Sequence, residues 1–364
     1  MQKKIDRILL LTILLLVFFG LVMVFSSSYP DALAMMNDPY HFIRKQTIFA
    51  VAGIIAMIIV ANMPMELFKR LSIPIFIITL LIQLTLLLGL GSEFQGGNRW
   101  IKIYGMTFMP AEFLKIGAVM ALARFMSVKK NDISKFNSPL WIALIFFVAM
   151  PGTLVIATDF SNGMMVFLVL AVMLFVAGLS YIFVPMAVGG IVAIVIYLLN
   201  SNSFRTFRLI TFTDPFKYRD YSTSYQLIQS IYAFAYGGTL GAGLGKSIQK
   251  YYYLPEAYND FIFAIIGEEL GLVGAFFTIV FYLIILWRGV KIIMGCKDRY
   301  EAYLATGIVA IIVVQAAVHM CVNVGLLPTT GLPLPFVSAG GTSLFVYLGA
   351  AGLLLNISKR SNYK

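Results

Sequence analysis

A chain of 364 residues that is 60% hydrophobic and 12% charged cannot cover a water-facing surface, for which soluble domains carry about 25% charged residues. Lipid is its main solvent, and a soluble enzyme or binding module is excluded. The formal charge of +11 does not mark a nucleic-acid binder, because the basic residues sit in short links between apolar runs instead of on one exposed face.

Ten apolar stretches approach the roughly 20 residues needed to cross a bilayer. They fall at 8–27, 46–63, 71–90, 110–127, 139–157, 162–179, 181–199, 259–288, 303–323 and 340–357. The first follows Lys3, Lys4 and Arg7 like the start of a signal peptide. It is long enough to span and lacks a clean cleavage site, so it reads as a retained helix. The expected fold class is all-α: a polytopic integral membrane protein of about ten helices, forming a single transmembrane domain over 1–364.

A cytoplasmic N-terminus puts four basic groups on the inner side: Lys69 with Arg70, Lys129 with Lys130 and Lys135, Arg288 with Lys291, Lys297 and Arg299, and Lys359 with Arg360 and Lys364. That agrees with the positive-inside bias and makes both termini cytoplasmic. Two outer segments are longer than a connector needs: Gly91 to Met109, and a long extracytoplasmic loop at 200–259 between helices 7 and 8. The aromatic run from Tyr225 to Tyr236 in that loop suits a helix lying along the interface. A turn with Gly237, Gly238, Gly241, Gly243 and Gly245 follows it.

Ionisable side chains inside a bilayer cost several kcal/mol each and usually mark function or pairing. Glu112 and Lys115, three apart at the start of the fourth span, can pair on one helix face; a structural ion pair and substrate contact are both open. Asp260 opens the eighth span at the outer mouth, among apolar and aromatic residues. Capping of the helix dipole and duty as a general base are both open there. Glu268 and Glu269, about 12 Å further along that helix, are expected to brace helices. The run from Gly241 to Ser247 fails as a P-loop because position 240 is leucine. Its glycines, with Lys246 and Lys250, could cradle a phosphate or form a plain turn.

Three prolines between Gly325 and Ser343 preclude continuous helix. Irregular backbone at membrane depth lines a cavity or is buried in protein, so this segment is either a substrate wall or a structural re-entrant loop. His41 and His319 lack ligand partners at metal spacing. The two cysteines, Cys296 and Cys321, give no disulfide framework or metal cluster.

The runs Ser224 to Ser230, Ser247 to Lys250, Leu254 to Gly271 and Pro328 to Ser343 closely resemble the SEDS family, in its branch of division and sporulation proteins, FtsW and SpoVE. Gln249 to Ala257 carries the branch resemblance. The resemblance spans the chain and implies a ten-helix enzyme that polymerises lipid II into glycan strands. It implies that Asp260 takes the position of the family's essential aspartate. It also matches Arg99 and Trp100 to the family's outer-loop Arg-Trp, and Glu112 with Lys115 to its Pro-Ser-Glu and lysine. One departure is the loop Thr158 to Gly163, where only Asp159 carries over.

The reaction so implied is inverting glycosyl transfer, with Asp260 as base and undecaprenyl diphosphate as leaving group. Lys246, Lys250, Arg205 and Arg208 are candidates to neutralise the diphosphate, with a divalent cation, Mg or Mn, as a further source of charge. No nucleotide is required. Gln249, Glu256, Ser338, Gly340, Gly341 and Thr342 complete the expected substrate contacts. The implied partners are lipid II and the nascent strand, a class B penicillin-binding protein acting as transpeptidase, other division proteins and the lipid of the bacterial cytoplasmic membrane. A lipid II flippase and a non-catalytic division scaffold are the alternatives.

Overall fold

The computed structural model describes residues 5–89, 91–94, 97–103, 106–128, 138–179 and 211–361. The expected span at 181–199 lies outside them, as do Arg205 and Arg208. The other nine expected spans are all helical. They are α1 (Arg7–Met36), α2 (His41–Asn62), α3 (Met65–Leu87), α4 (Pro110–Ser127), α5 (Ser138–Ile142) continuing through a π-helical stretch (Ala143–Ala149) into α6 (Met150–Thr158), α7 (Phe160–Val176), α9 (Ile262–Met294), α10 (Arg299–Asn323) and α11 (Gly341–Arg360). Between α7 and α9 lies α8 (Ser222–Gly237). It is the helix expected from the aromatic run.

Seven helical spans among the described residues are long and apolar enough to cross a membrane. This is a multi-pass membrane protein. The two remaining spans fall short for identifiable reasons: α4 carries Glu112, Lys115 and Arg124, and α7 has only 17 residues. The core sits around α10 and α11, the most enclosed spans, with α4 and α7 against α10 and α2 against α11.

The outer segment Gly91 to Met109 folds as a small antiparallel sheet, β1 (Ser92–Phe94), β2 (Gly97–Ile103) and β3 (Met106–Phe108), in the order β1-β2-β3. Ile101 pairs with Phe108 and Lys102 with Thr107. Among the described residues this sheet is the one addition to the expected all-α architecture.

Helix α9 is broken at Gly271, which adopts φ 67° and ψ −163°. The glycine turn after α8 fills the break. Ala242 and Gly243 N–H donate to the Glu268 and Glu269 carbonyls, while Leu272 and Val273 N–H donate to Gly238 and Thr239. A Cβ at Gly271 would lie 2.4 Å from Gly241 N, and one at Gly241 would lie 2.2 Å from Glu269 O. Only glycine fits both sides of this contact.

Candidate active site

Two buried polar links join α1 to α9. At one end Arg288 Nη2 lies 2.6 Å from Asp6 Oδ2. At the other, Ser26 Oγ donates 2.7 Å to the Glu269 carboxylate, which also pairs with Lys250 Nζ at 2.9 Å. Between these levels α9 holds no Asp, Glu, Lys or Arg, and α1 holds only Arg7, directly after Asp6. Nineteen residues of α9 separate Glu269 from Arg288, about 28 Å at 1.5 Å per residue, close to the ~30 Å hydrocarbon core. Glu269 therefore stands at the rim of the apolar slab.

Glu268 and Glu269 brace, as expected. Glu268 accepts from Ile248 N at 2.7 Å, from Gln249 N at 3.3 Å and from Ser247 Oγ. Of the glycine amides expected to cradle a phosphate, Gly241 N donates to Gly237 O and Gly243 N to Glu269 O, while the amides just after the turn hold the Glu268 carboxylate. Lys250 is likewise engaged: its Nζ bonds Gly245 O at 2.7 Å, Ser26 Oγ at 3.2 Å and Glu269, and its side chain is buried. With three donors and three protein acceptors, Lys250 is a structural cation and not a diphosphate ligand. Lys246 stays exposed on the turn. Gln249 is buried, and its Oε1 has no partner among the described residues.

Asp260 lies nine residues beyond Glu269, up to about 13 Å outside the apolar slab. It is half-buried. Its main chain is fixed by a turn in which Asp260 N and Phe261 N donate to Glu256 O. Glu256, whose carbonyl holds this turn, takes φ 56°, a left-handed backbone at a non-glycine residue. Such strain concentrates at functional sites. The N-cap of α9 is Phe261, and the first-turn N–H of Ala264 donates 3.0 Å to Asn323 Oδ1 from α10.

The proline-rich segment forms the facing wall. Gly331, at φ 72°, comes so near that a Cβ there would lie 3.2 Å from Asp260 Oδ2. Prolines supply no N–H, so the wall's carbonyls are satisfied by side chains from the bundle. Gln315 Nε2 donates to Pro333 O at 2.8 Å, Tyr282 O–H to Pro335 O at 2.5 Å, and His319 Nδ1 lies 2.7 Å from Leu332 O. Ser338 Oγ donates to Asn259 O at 2.7 Å and accepts from Leu334 N at 2.7 Å, while Ala339 N donates to Tyr258 O. Gly340 N donates to Gln46 Oε1, Gly341 packs on Phe49, and Thr342 Oγ1 donates to Thr107 O in β3. Ser338, Gly340, Gly341 and Thr342, expected as substrate contacts, fasten the wall through these bonds. Burial, followed by the charges of Glu256, Asp31 and Asp260, pushes the Tyr258 phenol up from its ordinary value.

Glu112 and Lys115 do pair, at 2.9 Å and fully buried. Lys115 Nζ also donates to Gln315 Oε1 at 2.9 Å and Tyr347 O–H at 3.3 Å, which ties the pair to the rung that holds Pro333. Arg99 Nη1 lies 3.7 Å from Asp159 Oδ2, and Asp159 caps α7 through Asn162 N. The one residue carried over in the departing loop is thus the partner of the outer-loop arginine. Trp100 packs half-buried against the core. Among the described residues no three His, Cys, Asp or Glu side chains come together as metal ligands.

Asn323, Gln315, Gln46 and His319 also bond to the mouth and belong to no sequence motif. Their one signal is polarity inside apolar runs, which marks function and packing alike.

A family model described as cell cycle protein, covering FtsW, RodA and SpoVE, matches residues 6–363. The chain belongs to the FtsW, RodA and SpoVE family. It is 36% identical over 356 residues to a probable peptidoglycan glycosyltransferase FtsW of Trichlorobacter lovleyi, covering 97% of this chain and 93% of that one. It is 35% identical over 363 residues to the stage V sporulation protein E of Bacillus subtilis, covering 98% of each. In fold it is similar to a chain from a study of polymerization and crosslinking by a peptidoglycan synthase complex, at TM-score 0.80, 22% identity and 97% coverage of both chains. It is also similar to the rod shape determining protein RodA of Thermus thermophilus, at TM-score 0.72, 20% identity and 99% and 98% coverage.

Proposed function

We propose that this family member is a peptidoglycan glycosyltransferase that polymerises lipid II on the outer face of the bacterial cytoplasmic membrane, in division or spore cortex synthesis. What supports the reading is the height that helix geometry gives Asp260 beyond the charge-free stretch of α9. A substrate anchored by a polyprenyl tail keeps its tail in the slab, its diphosphate near the rim where Glu269 stands, and its sugars beyond. A carboxylate up to about 13 Å outside the rim is at the level of those sugars. The relatives named as probable glycosyltransferases support the same reading.

In the proposed step the Asp260 carboxylate takes the proton of the acceptor sugar's 4-hydroxyl. The freed oxygen pair attacks the anomeric carbon of the lipid-linked donor from the face opposite the leaving group. A new glycosidic bond forms, the carbon–oxygen bond to the diphosphate breaks, and undecaprenyl diphosphate departs with inversion. Lys246 offers charge to that diphosphate. Arg99 and Trp100 in the outer sheet are the proposed sugar-side contacts. The basic loops make both termini cytoplasmic. A transpeptidase of the penicillin-binding class is the proposed partner, in keeping with the synthase complex whose fold the chain shares.

Lipid II polymerisation by the purified chain in detergent tests this. Glycan strands are expected without two compartments. Translocation across sealed vesicles with no polymer in detergent would replace the polymerase with a flippase.

A further inference from the structure

Gln315, His319 and Asn323 stand four residues apart on α10. At 3.6 residues per turn they share one face, with successive side chains about 6 Å apart along the axis. All three are fully enclosed, at 0%, 1% and 0% exposure. Each grips part of the mouth. Gln315 holds Pro333 O and His319 holds Leu332 O, while Asn323 Nδ2 donates 3.1 Å to Asp260 O and 2.9 Å to His319 O. Asn323 Oδ1 accepts from Ala264 N, and Asn323 O accepts from Ser230 Oγ of α8 at 2.7 Å.

Leu332 directly follows Gly331, the residue that abuts the Asp260 carboxylate. The ladder therefore holds both halves of the contact: the main chain that carries the carboxylate and the wall it faces. We propose that Gln315, His319 and Asn323 are positioning residues that keep the Asp260 carboxylate in register with the wall at 331–335.

His319 works as a one-directional strut. Its partner is a carbonyl, so Nδ1 carries the proton, and Nε2 is buried with no partner among the described residues. The ring is enclosed and touches the wall at Leu332 O, so it acts through Leu332. A misplacement of about 1 Å can cost about 100-fold in rate, so losing the strut reads out in kcat. This inference rests on Asp260 being the base.

The test uses the full chain in detergent with lipid II. His319→Asn puts an amide N–H where Nδ1 stands, whereas His319→Gln puts one where Nε2 stands. His319→Gln is expected to lower kcat by about tenfold or more with KM within about twofold, and His319→Asn to stay within about threefold of wild type. Asn323→Ser, which withdraws the bond to Asp260 O, is read the same way and serves if His319→Gln does not fold. In an Asp260→Glu background, where the carboxylate is already displaced, His319→Gln is expected to add less than about threefold.

Wild-type kcat in both His319→Gln and Asn323→Ser overturns the ladder, and so does a full further tenfold loss in the Asp260→Glu background. Wild-type activity of Asp260→Asn would instead remove the base on which the ladder acts, so the two failures are distinct.

Discussion

Replacing Lys250 by methionine tests the claim that the glycine turn is locked to α1 and α9 by a buried charge. The substitution keeps most of the stem but withdraws three bonds from Nζ, to Glu269 at 2.9 Å, Gly245 O at 2.7 Å and Ser26 at 3.2 Å. Glu269 is 0% exposed. It would keep Ser26 Oγ and a long bond from Ser247 N at 3.4 Å, with no cation beside it. Stranding one partner of a buried pair costs about 3–5 kcal/mol. At about 1.4 kcal/mol per decade, the folded population is disfavoured by roughly two to three and a half orders of magnitude. Thermal unfolding in detergent should show a lowered midpoint for Lys250→Met. The double variant Lys250→Met with Glu269→Gln, which removes the uncompensated charge, should recover much of the loss. Lys246→Met, on the exposed side of the same turn, should leave the midpoint unchanged and raise KM for lipid II. A Lys250→Met midpoint equal to wild type would refute the structural assignment of this lysine and return it to the list of substrate cations.

Lys115→Met should destabilise by about 3–5 kcal/mol, because it leaves Glu112 alone in the slab; unfolding midpoints compared with the Glu112→Gln, Lys115→Met double variant check it. Gly271→Ala should lower stability by more than about 1 kcal/mol, since a Cβ there meets the Gly241 amide at 2.4 Å in left-handed backbone. The raised Tyr258 phenol leaves stability intact below about pH 10, the ordinary value, and erodes it as pH rises from there toward the folded value, because only the unfolded chain ionises. Tyr258→Phe should therefore reduce the alkaline fall in the unfolding midpoint. Burial, then Glu301 and Asp298, pushes the Cys296 thiol up to about 12. In a Cys321→Ser background its alkylation at pH 8 should be far slower than that of a free thiol and should accelerate with pH.

The membrane architecture was legible because lipid imposes one rule, apolar runs of about 20 residues, and nine of the expected spans coincide with helices. The helix α8 was legible from its aromatic run. Asp260 stood out because a carboxylate beside an apolar run is conspicuous. Depth was not legible: the sequence counts residues along a helix, and only the Asp6–Arg288 and Ser26–Glu269 links show which stretch lies in the slab. Nor was the use of donors. Lys246 and Lys250 are both basic residues in one turn, and only packing separates the exposed one from the one enclosed by Glu269, Gly245 and Ser26. The same holds for Ser338 and Thr342. Their hydroxyls look like substrate contacts in a proline-rich run until the carbonyls of Asn259 and Thr107 are seen to take their protons. The ladder of Gln315, His319 and Asn323 follows helical spacing, but its partners lie on the wall segment and the turn before α9.

The central claim is that one carboxylate at sugar height performs the proton transfer, and the most direct measurement compares Asp260→Asn with wild type for lipid II polymerisation, alongside lipid II binding to the same preparations. The account predicts a folded variant that binds lipid II with about wild-type affinity and makes no glycan strands. Strand synthesis by Asp260→Asn at the wild-type rate would contradict it.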